Sequence, residues 1–240
     1  MWKKLFCLLL LLPMGMAQAG IIILGTRVIY PAEQKSVNVK LENKNPKPAL
    51  AQAWIDNGDP NVPPEQVKTP FVITPPLSRI EANKGQTLRI TYTGDPLPTD
   101  RESIFYFNLL DIPPKPSAQM RQENPNFLQI AVRSRIKLFY RPQSLPMSAE
   151  EAYQQVEWRV ASERGKPVVI VNNKTPYYIT YATIELKQGA KTAKAKDADM
   201  VAPFSQVSYP LSSAVSGQAT VHWSVINDFG GKQSGTATLR

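Results

Sequence analysis

The 240-residue chain contains one cysteine, Cys7, and one histidine, His222. A single thiol rules out an intramolecular disulfide. One imidazole without clustered cysteines or carboxylates gives no metal-binding set. His222 lies in Val221-His222-Trp223, inside an alternating run, and no serine or cysteine motif points to it, so it reads as structural. Glycine is sparse at 12 residues, and none forms a phosphate-cradling loop; Gly230-Gly231 reads as a turn. The acidic residues are scattered without a favoured pair, so nothing points to a glycosidase. Enzyme chemistry, metals and cofactors are therefore not expected. The formal charge of +9 raises nucleic-acid binding, but the Lys and Arg residues are spread without interleaved aromatics, which fits a soluble basic surface better. Past the first few residues no stretch is long and apolar enough to span a bilayer, which takes about 20 residues. Stable membrane insertion is not expected.

What is present begins with a leader. Met1-Trp2-Lys3-Lys4 is a basic head, residues 5–16 are almost wholly apolar, and Ala17-Gln18-Ala19 places small residues where a signal peptidase reads. Residues 1–19 are expected to be a signal peptide cleaved after Ala19. Cys7 sits at the start of the apolar run, not near its end, which argues against lipoprotein processing. The mature chain is thus an exported protein without cysteine. It must be stable in an oxidising compartment by apolar burial alone, and about 220 residues suffice for one large domain or two of about 100.

Proline is abundant at 22 residues and helical periodicity is nearly absent. Short alternating apolar runs recur between turn residues, the pattern of an all-β protein. Seven candidate strands fall at residues 21–30, 36–42, 50–55, 71–74, 87–93, 103–110 and 128–140. A second series falls at 156–160, 167–171, 177–186, 193–195, 206–209, 219–226 and 236–239. Between them residues 141–150 are polar, carry Pro142 and Pro146 and show no alternation, so they read as a linker. Seven strands per unit at this spacing suit an immunoglobulin-like β-sandwich. The expected division is an N-terminal domain at 20–142 and a C-terminal domain at 143–240.

One strand is unusual. Leu128, Ile130 and Val132 alternate with Gln129, Ala131 and Arg133 and so share one face. Such a row is either ordinary sandwich core or an edge offered to a partner by strand addition.

Several segments together resemble a known family. Asp100-Arg101-Glu102-Ser103-Ile104-Phe105-Tyr106-Phe107-Asn108-Leu109, Ile112-Pro113-Pro114, Leu128-Gln129-Ile130-Ala131 and Ile136-Lys137-Leu138-Phe139-Tyr140-Arg141-Pro142 are similar to the periplasmic chaperones of chaperone–usher pilus assembly, the PapD-like family. Thr26-Arg27-Val28-Ile29-Tyr30, Thr74-Pro75-Pro76, Thr175-Pro176-Tyr177-Tyr178 and Ile226-Asn227-Asp228-Phe229-Gly230-Gly231 extend the match along the whole mature chain.

The resemblance implies two immunoglobulin-like domains at an angle with a cleft between them, in the periplasm. It implies a non-enzymatic chaperone that lends a strand to pilus subunits lacking one, and passes them to an outer-membrane usher. Leu128, Ile130 and Val132 would then fill the subunit's groove. Full burial of each is worth about 1.5–3 kcal/mol, before the costs of association. Arg27 and Lys137 would grip the subunit's C-terminal carboxylate. Lys137 is odd-numbered and the aliphatic row even, so cation and row must use opposite faces unless a bulge intervenes. Glu102, Arg141 and Asp228 match an ion-pair set bridging the domains, and Thr74-Pro75-Pro76 matches a cis-proline site. The absence of cysteine points to the family branch with a short loop before the donor strand, although residues 113–126 are long for it. Self-association of the free protein to hide its row is left open. The competing reading is a structural or adhesive fimbrial subunit, which should open with its own donor extension and normally carries a disulfide.

Overall fold

The computed structural model describes residues 20–115, 122, 128–215 and 218–239. The expected signal peptide, its cleavage site and most of the loop before residue 128 lie outside the described residues. What is described is two β-sandwiches in succession along the chain, each around its own apolar core.

In the first sandwich a four-stranded sheet has the order β1 (Ile21–Ile23), β3 (Val37–Asn43), β7 (Gly85–Tyr92), β5 (Phe71–Thr74). It faces a five-stranded sheet in the order β2 (Arg27–Pro31), β9 (Val132–Arg141), β8 (Ser103–Ile112), β4 (Ala49–Asp56), β6 (Leu77–Ile80). The strand expected over 21–30 is therefore two strands in different sheets. The chain crosses over at Leu24-Gly25-Thr26, where Gly25 takes φ +151°, a conformation side-chain-bearing residues rarely adopt. β2 then runs parallel to β9, while every other strand pairing among the described residues is antiparallel. The Thr74–Pro75 peptide bond is cis. β6, which follows it, was not foreseen.

Alternation decides the core. On β8, Phe105, Phe107 and Leu109 are buried, and on β9 so are Leu138 and Tyr140. Tyr30 is wholly buried within an aromatic cluster with Phe71, Tyr92 and Tyr140, and its hydroxyl donates to Lys35 O and accepts from Tyr92 N, both at 3.0 Å.

The second sandwich packs a three-stranded sheet, β10 (Glu157–Glu163), β11 (Lys166–Asn173), β15 (Ser205–Pro210), against a five-stranded one. The latter comprises β13 (Lys191–Lys194), β12 (Ile179–Gln188), β16 (Thr220–Ile226) and β17 (Lys232–Thr238), with β14 (Met200–Val201) also on β12. Trp158, Ile184, Leu186 and Trp223 lie at its centre. Both sandwiches share a corner device. The fully buried amides of Asn43 and Asn173 donate to the carbonyls of Lys47 (2.9 Å) and Tyr177 (2.7 Å), four residues on in each case, at the ends of β3 and β11. Asn173 is thereby enclosed, with Thr175 Oγ1 donating to its Oδ1 at 2.7 Å.

The stretch read as linker contains the start of a short helix, α1 (Ala149–Gln154). Ser148 Oγ accepts from Glu151 N at 3.3 Å, and Glu151 Oε2 accepts from Ser148 N at 2.8 Å, a reciprocal capping box. Among the described residues no helix is long and apolar enough to cross a membrane.

Candidate functional site

β9 carries most of the residues singled out from the sequence. Its pairing with β8 runs without a register shift from Tyr140 opposite Ser103 to Val132 opposite Asp111, so no bulge changes its parity. Even-numbered Leu138 and Tyr140 enter the first core, and Ile136 packs against it. Odd-numbered Lys137, Phe139 and Arg141 turn to the second sandwich. Lys137 and Val132, the member of the aliphatic row that lies on the strand, thus point to opposite faces.

Beyond Ile136 the even-numbered row runs out of the core. Val132, Ile130 and Leu128 are 56, 64 and 79% exposed. The strand expected from residue 128 begins at Val132; residues 128–131 belong to no strand. The other edge matters equally. β2 pairs only with residues 137–141 of β9, because the chain has crossed to the opposite sheet before Arg27. From 132 to 136, β9 is bonded to β8 on one side and to no strand among the described residues on the other. Its peptide groups there are free to take a further strand.

The outward part of β9 is braced on its odd-numbered face. Arg135 Nη2 and Nε hold Asp56 at 2.6 and 2.9 Å, Asn108 Nδ2 donates to the same carboxylate at 2.8 Å, and Arg133 Nη2 donates to Asn108 Oδ1 at 2.7 Å. Arg133 also lies over the Trp54 ring and Arg135 over Tyr106. Burial would raise the Asp56 carboxyl, but hydrogen bonds from Arg135, Asn108 and the Gly58 N–H outweigh it and hold it below the ordinary carboxylate value. The sequence reading missed this brace; its one trace is the spacing of Arg133 and Arg135, which puts both on one strand face.

Where the free edge ends, Arg27 and Lys137 are register partners on adjacent strands. Arg27 Nη1 donates to Ile226 O at 2.7 Å, while its buried Nε has no hydrogen-bond partner. Lys137 Nζ reaches Asp199 Oδ1 at 3.3 Å and Thr180 Oγ1 at 3.4 Å, both in the second sandwich. Burial lowers the pKa of each cation below its ordinary value. At Arg27 the charges of Tyr153, Asp228 and Glu102 do not make up the difference. At Lys137 Asp199 opposes the fall and Arg27 adds to it. Two partly buried cations thus lie side by side, Lys137 with Asp199 as its ion-pair partner and Arg27 with none among the described residues, an arrangement that can take a further anion.

Arg141 differs. Its Nε donates to Glu102 Oε1 at 2.8 Å, and its Nη1 and Nη2 to the two oxygens of Asp228 at 2.6 and 2.9 Å. Burial works against its charge, yet the hydrogen bonds and charges of Asp228 and Glu102 outweigh it and its pKa is raised. Glu102 is 2% exposed; its Oε2 also accepts from Tyr178 N at 2.9 Å, and its own N–H donates to Pro176 O. Phe139 against Tyr178 and Arg101 over Phe204 complete this junction between sandwiches. On the second sandwich Gly230 lies so close to Thr26 that an added Cβ would fall 2.4 Å from its hydroxyl oxygen. Among the described residues there is no group of His, Cys, Asp and Glu placed to hold a metal ion.

The chain thus comprises two immunoglobulin-like sandwiches joined by a largely buried ion-pair network, with a strand edge unpaired among the described residues and exposed aliphatic side chains near it. The chain belongs to the PapD-like family of pilus-assembly chaperones: residues 20–146 match the pili and flagellar-assembly chaperone PapD N-terminal domain, and residues 151–237 the PapD C-terminal domain. It is 53% identical over 222 residues to chaperone protein HifB of Haemophilus influenzae, covering 92% of this chain and 88% of that one. The probable fimbrial chaperone YadV of Escherichia coli K12 is 46% identical over 224 residues, covering 92% of this chain and 90% of that one. The crystal structure of the YadV chaperone superposes with a TM-score of 0.78 at 42% identity, over 92% of this chain and all of that one. A chain from the complex of Salmonella enterica SafA pilin with the SafB chaperone superposes at 0.75 and 28% identity, over 92% of this chain and 96% of that one. The protein is a fimbrial assembly chaperone. The alternative of a structural or adhesive subunit finds no support among relatives named as chaperones.

Proposed function

We propose that the protein works in the periplasm, after loss of residues 1–19, as a non-enzymatic chaperone with domains at 20–142 and 143–240. It takes up fimbrial subunits by donor-strand complementation and delivers them to an outer-membrane usher. The observation that carries this reading is the free edge of β9 with Leu128, Ile130 and Val132 exposed along it, ending at Arg27 and Lys137. A subunit strand added there with its terminal carboxylate on the two cations runs in the same direction as β9, since the cations lie at the C-terminal end of the free segment. Its backbone pairs with residues 132–136 while the aliphatic row fills its groove. The carboxylate sets the register. The junction at Glu102, Arg141 and Asp228 keeps the second domain in place beside the anchor.

Retention of co-expressed fimbrial subunits by wild-type protein and by Lys137→Ala tests the reading. One-to-one retention by the wild type and loss by the variant supports chaperoning and anchor together. Equal retention by both overturns the anchor. No retention by the wild type, in cells confirmed to make subunits, overturns the donor-strand reading.

A further inference from the structure

We infer that Asp199 stands in for the subunit's carboxylate in the free chaperone, occupying Lys137 until a subunit displaces it, so that it tunes the strength of subunit capture. This rests on the anchor role proposed above for Lys137.

Four observations support it. First, the contact crosses between domains: Lys137 is on β9, and Asp199 immediately precedes β14 of the second sandwich. Second, Asp199 is held by its backbone and not by its side chain. Its carbonyl accepts from Tyr181 N at 3.3 Å and Tyr209 Oη at 3.0 Å, while its carboxylate is 76% exposed and has Lys137 as its ion-pair partner. A carboxylate on a fixed backbone, aimed at one cation and otherwise in water, can swing aside at little cost.

Third, the contact is loose. At 3.3 Å to Asp199 and 3.4 Å to Thr180, the ammonium sits beyond the usual range for N–H···O bonds, whereas Arg141 holds Asp228 at 2.6 and 2.9 Å. The tight pair joins the domains, and the loose pair can open. Fourth, the cations are unequal. Arg27 has no ion-pair partner among the described residues and keeps a buried, unbonded Nε, whereas Lys137 has an internal counter-ion. An arriving carboxylate can bind Arg27 at once, but must compete with Asp199 for Lys137. Its approach also brings a second negative charge against the first. Asp199 therefore keeps the lysine ordered near its working position and weakens binding of ligands that offer a carboxylate without a strand.

The test measures affinity for a fimbrial subunit that wild-type protein retains, using Asp199→Asn, Lys137→Ala and the double variant. Asp197→Asn, two residues away and exposed, removes the same charge as a control. Asp199→Asn is expected to bind about two- to fivefold more tightly, the scale of an exposed ion pair. The gain should vanish when Lys137 is alanine, and Asp197→Asn should change nothing. Unaltered or weaker binding by Asp199→Asn, while Lys137→Ala still weakens binding measurably, overturns the stand-in and leaves the anchor intact. A gain that persists without Lys137, or appears equally in Asp197→Asn, assigns the effect to overall charge and also overturns it. If Lys137→Ala binds as wild type, anchor and stand-in fail together. Thermal unfolding of each variant, expected at the wild-type midpoint, excludes misfolding as the cause.

Discussion

Arg141, the last residue of β9, meets Asp228 in the turn after β16 through two parallel bonds of 2.6 and 2.9 Å while also holding the buried Glu102. A two-point bridge of this kind needs a planar guanidinium. Removing it leaves the Glu102 carboxylate buried with one backbone bond. Arg141→Ala should therefore destabilise the protein by roughly 3 kcal/mol, the scale for stripping one partner from a buried pair. Arg141→Lys should recover only part of that. Denaturant unfolding measures the loss, and solution scattering should show a changed arrangement of the two sandwiches. An unchanged scattering profile in Arg141→Ala would remove the bridging role.

The exposed row should behave in the opposite way. Ile130→Ser deletes apolar surface that the free protein does not bury, so its stability should stay within about 0.5 kcal/mol of wild type. Subunit affinity should fall about tenfold, corresponding to loss of a groove contact of about 1.5 kcal/mol. Unfolding and binding measured on the same preparation separate the two effects. A large stability loss with unchanged binding would assign the row to the core.

Asp56 predicts a pH dependence. Its folded pKa is lowered, so its stabilisation is present above the carboxylate's unfolded value and is lost as pH falls through the lower folded value. The unfolding midpoints of wild type and Asp56→Asn should lie furthest apart near neutral pH. They should converge as pH drops below about 4. A constant gap across that range would mean that the brace on Arg133 and Arg135 is not ionic.

Gly230 combines two constraints that a double variant can separate. Its φ of +80° disfavours any side chain, and a Cβ would strike the Thr26 hydroxyl. Gly230→Ala should cost more than the roughly 1–2 kcal/mol of left-handed backbone alone. Adding Thr26→Ala should return the excess and no more, as read by thermal unfolding. Complete recovery would show that the backbone term is absent.

Much of this was legible in the chain, for reasons particular residues make clear. Alternation in 103–110 exposed the core strand β8, and the parity of Lys137 against Leu128, Ile130 and Val132 called for opposite faces unless a bulge intervened. The switch at Leu24-Gly25-Thr26 was not legible, because a continuous apolar run carries no period that would mark a change of sheet. Ser148 and Glu151 did offer a capping signal, but the helix they start is only six residues long and shows no amphipathic repeat. Asp199 could not be found at all. It lies 62 residues from Lys137, in another sandwich, and an exposed aspartate has no distinguishing neighbours in sequence.

The crossing at Gly25 has a consequence for the size of what the protein can hold. Had the first strand stayed in one sheet, it would have covered β9 and closed the sandwich. Because it joins β9 only from Arg27 onward, the chain leaves a slot roughly 17 Å long, at about 3.3 Å per residue, whose inner end is walled by its own second strand. Under the proposed donor-strand reading, a guest strand would slide in only until its tail meets that wall. The molecule would then measure its guest from the end, by a depth stop fixed at the corner where its own first strand changes sides.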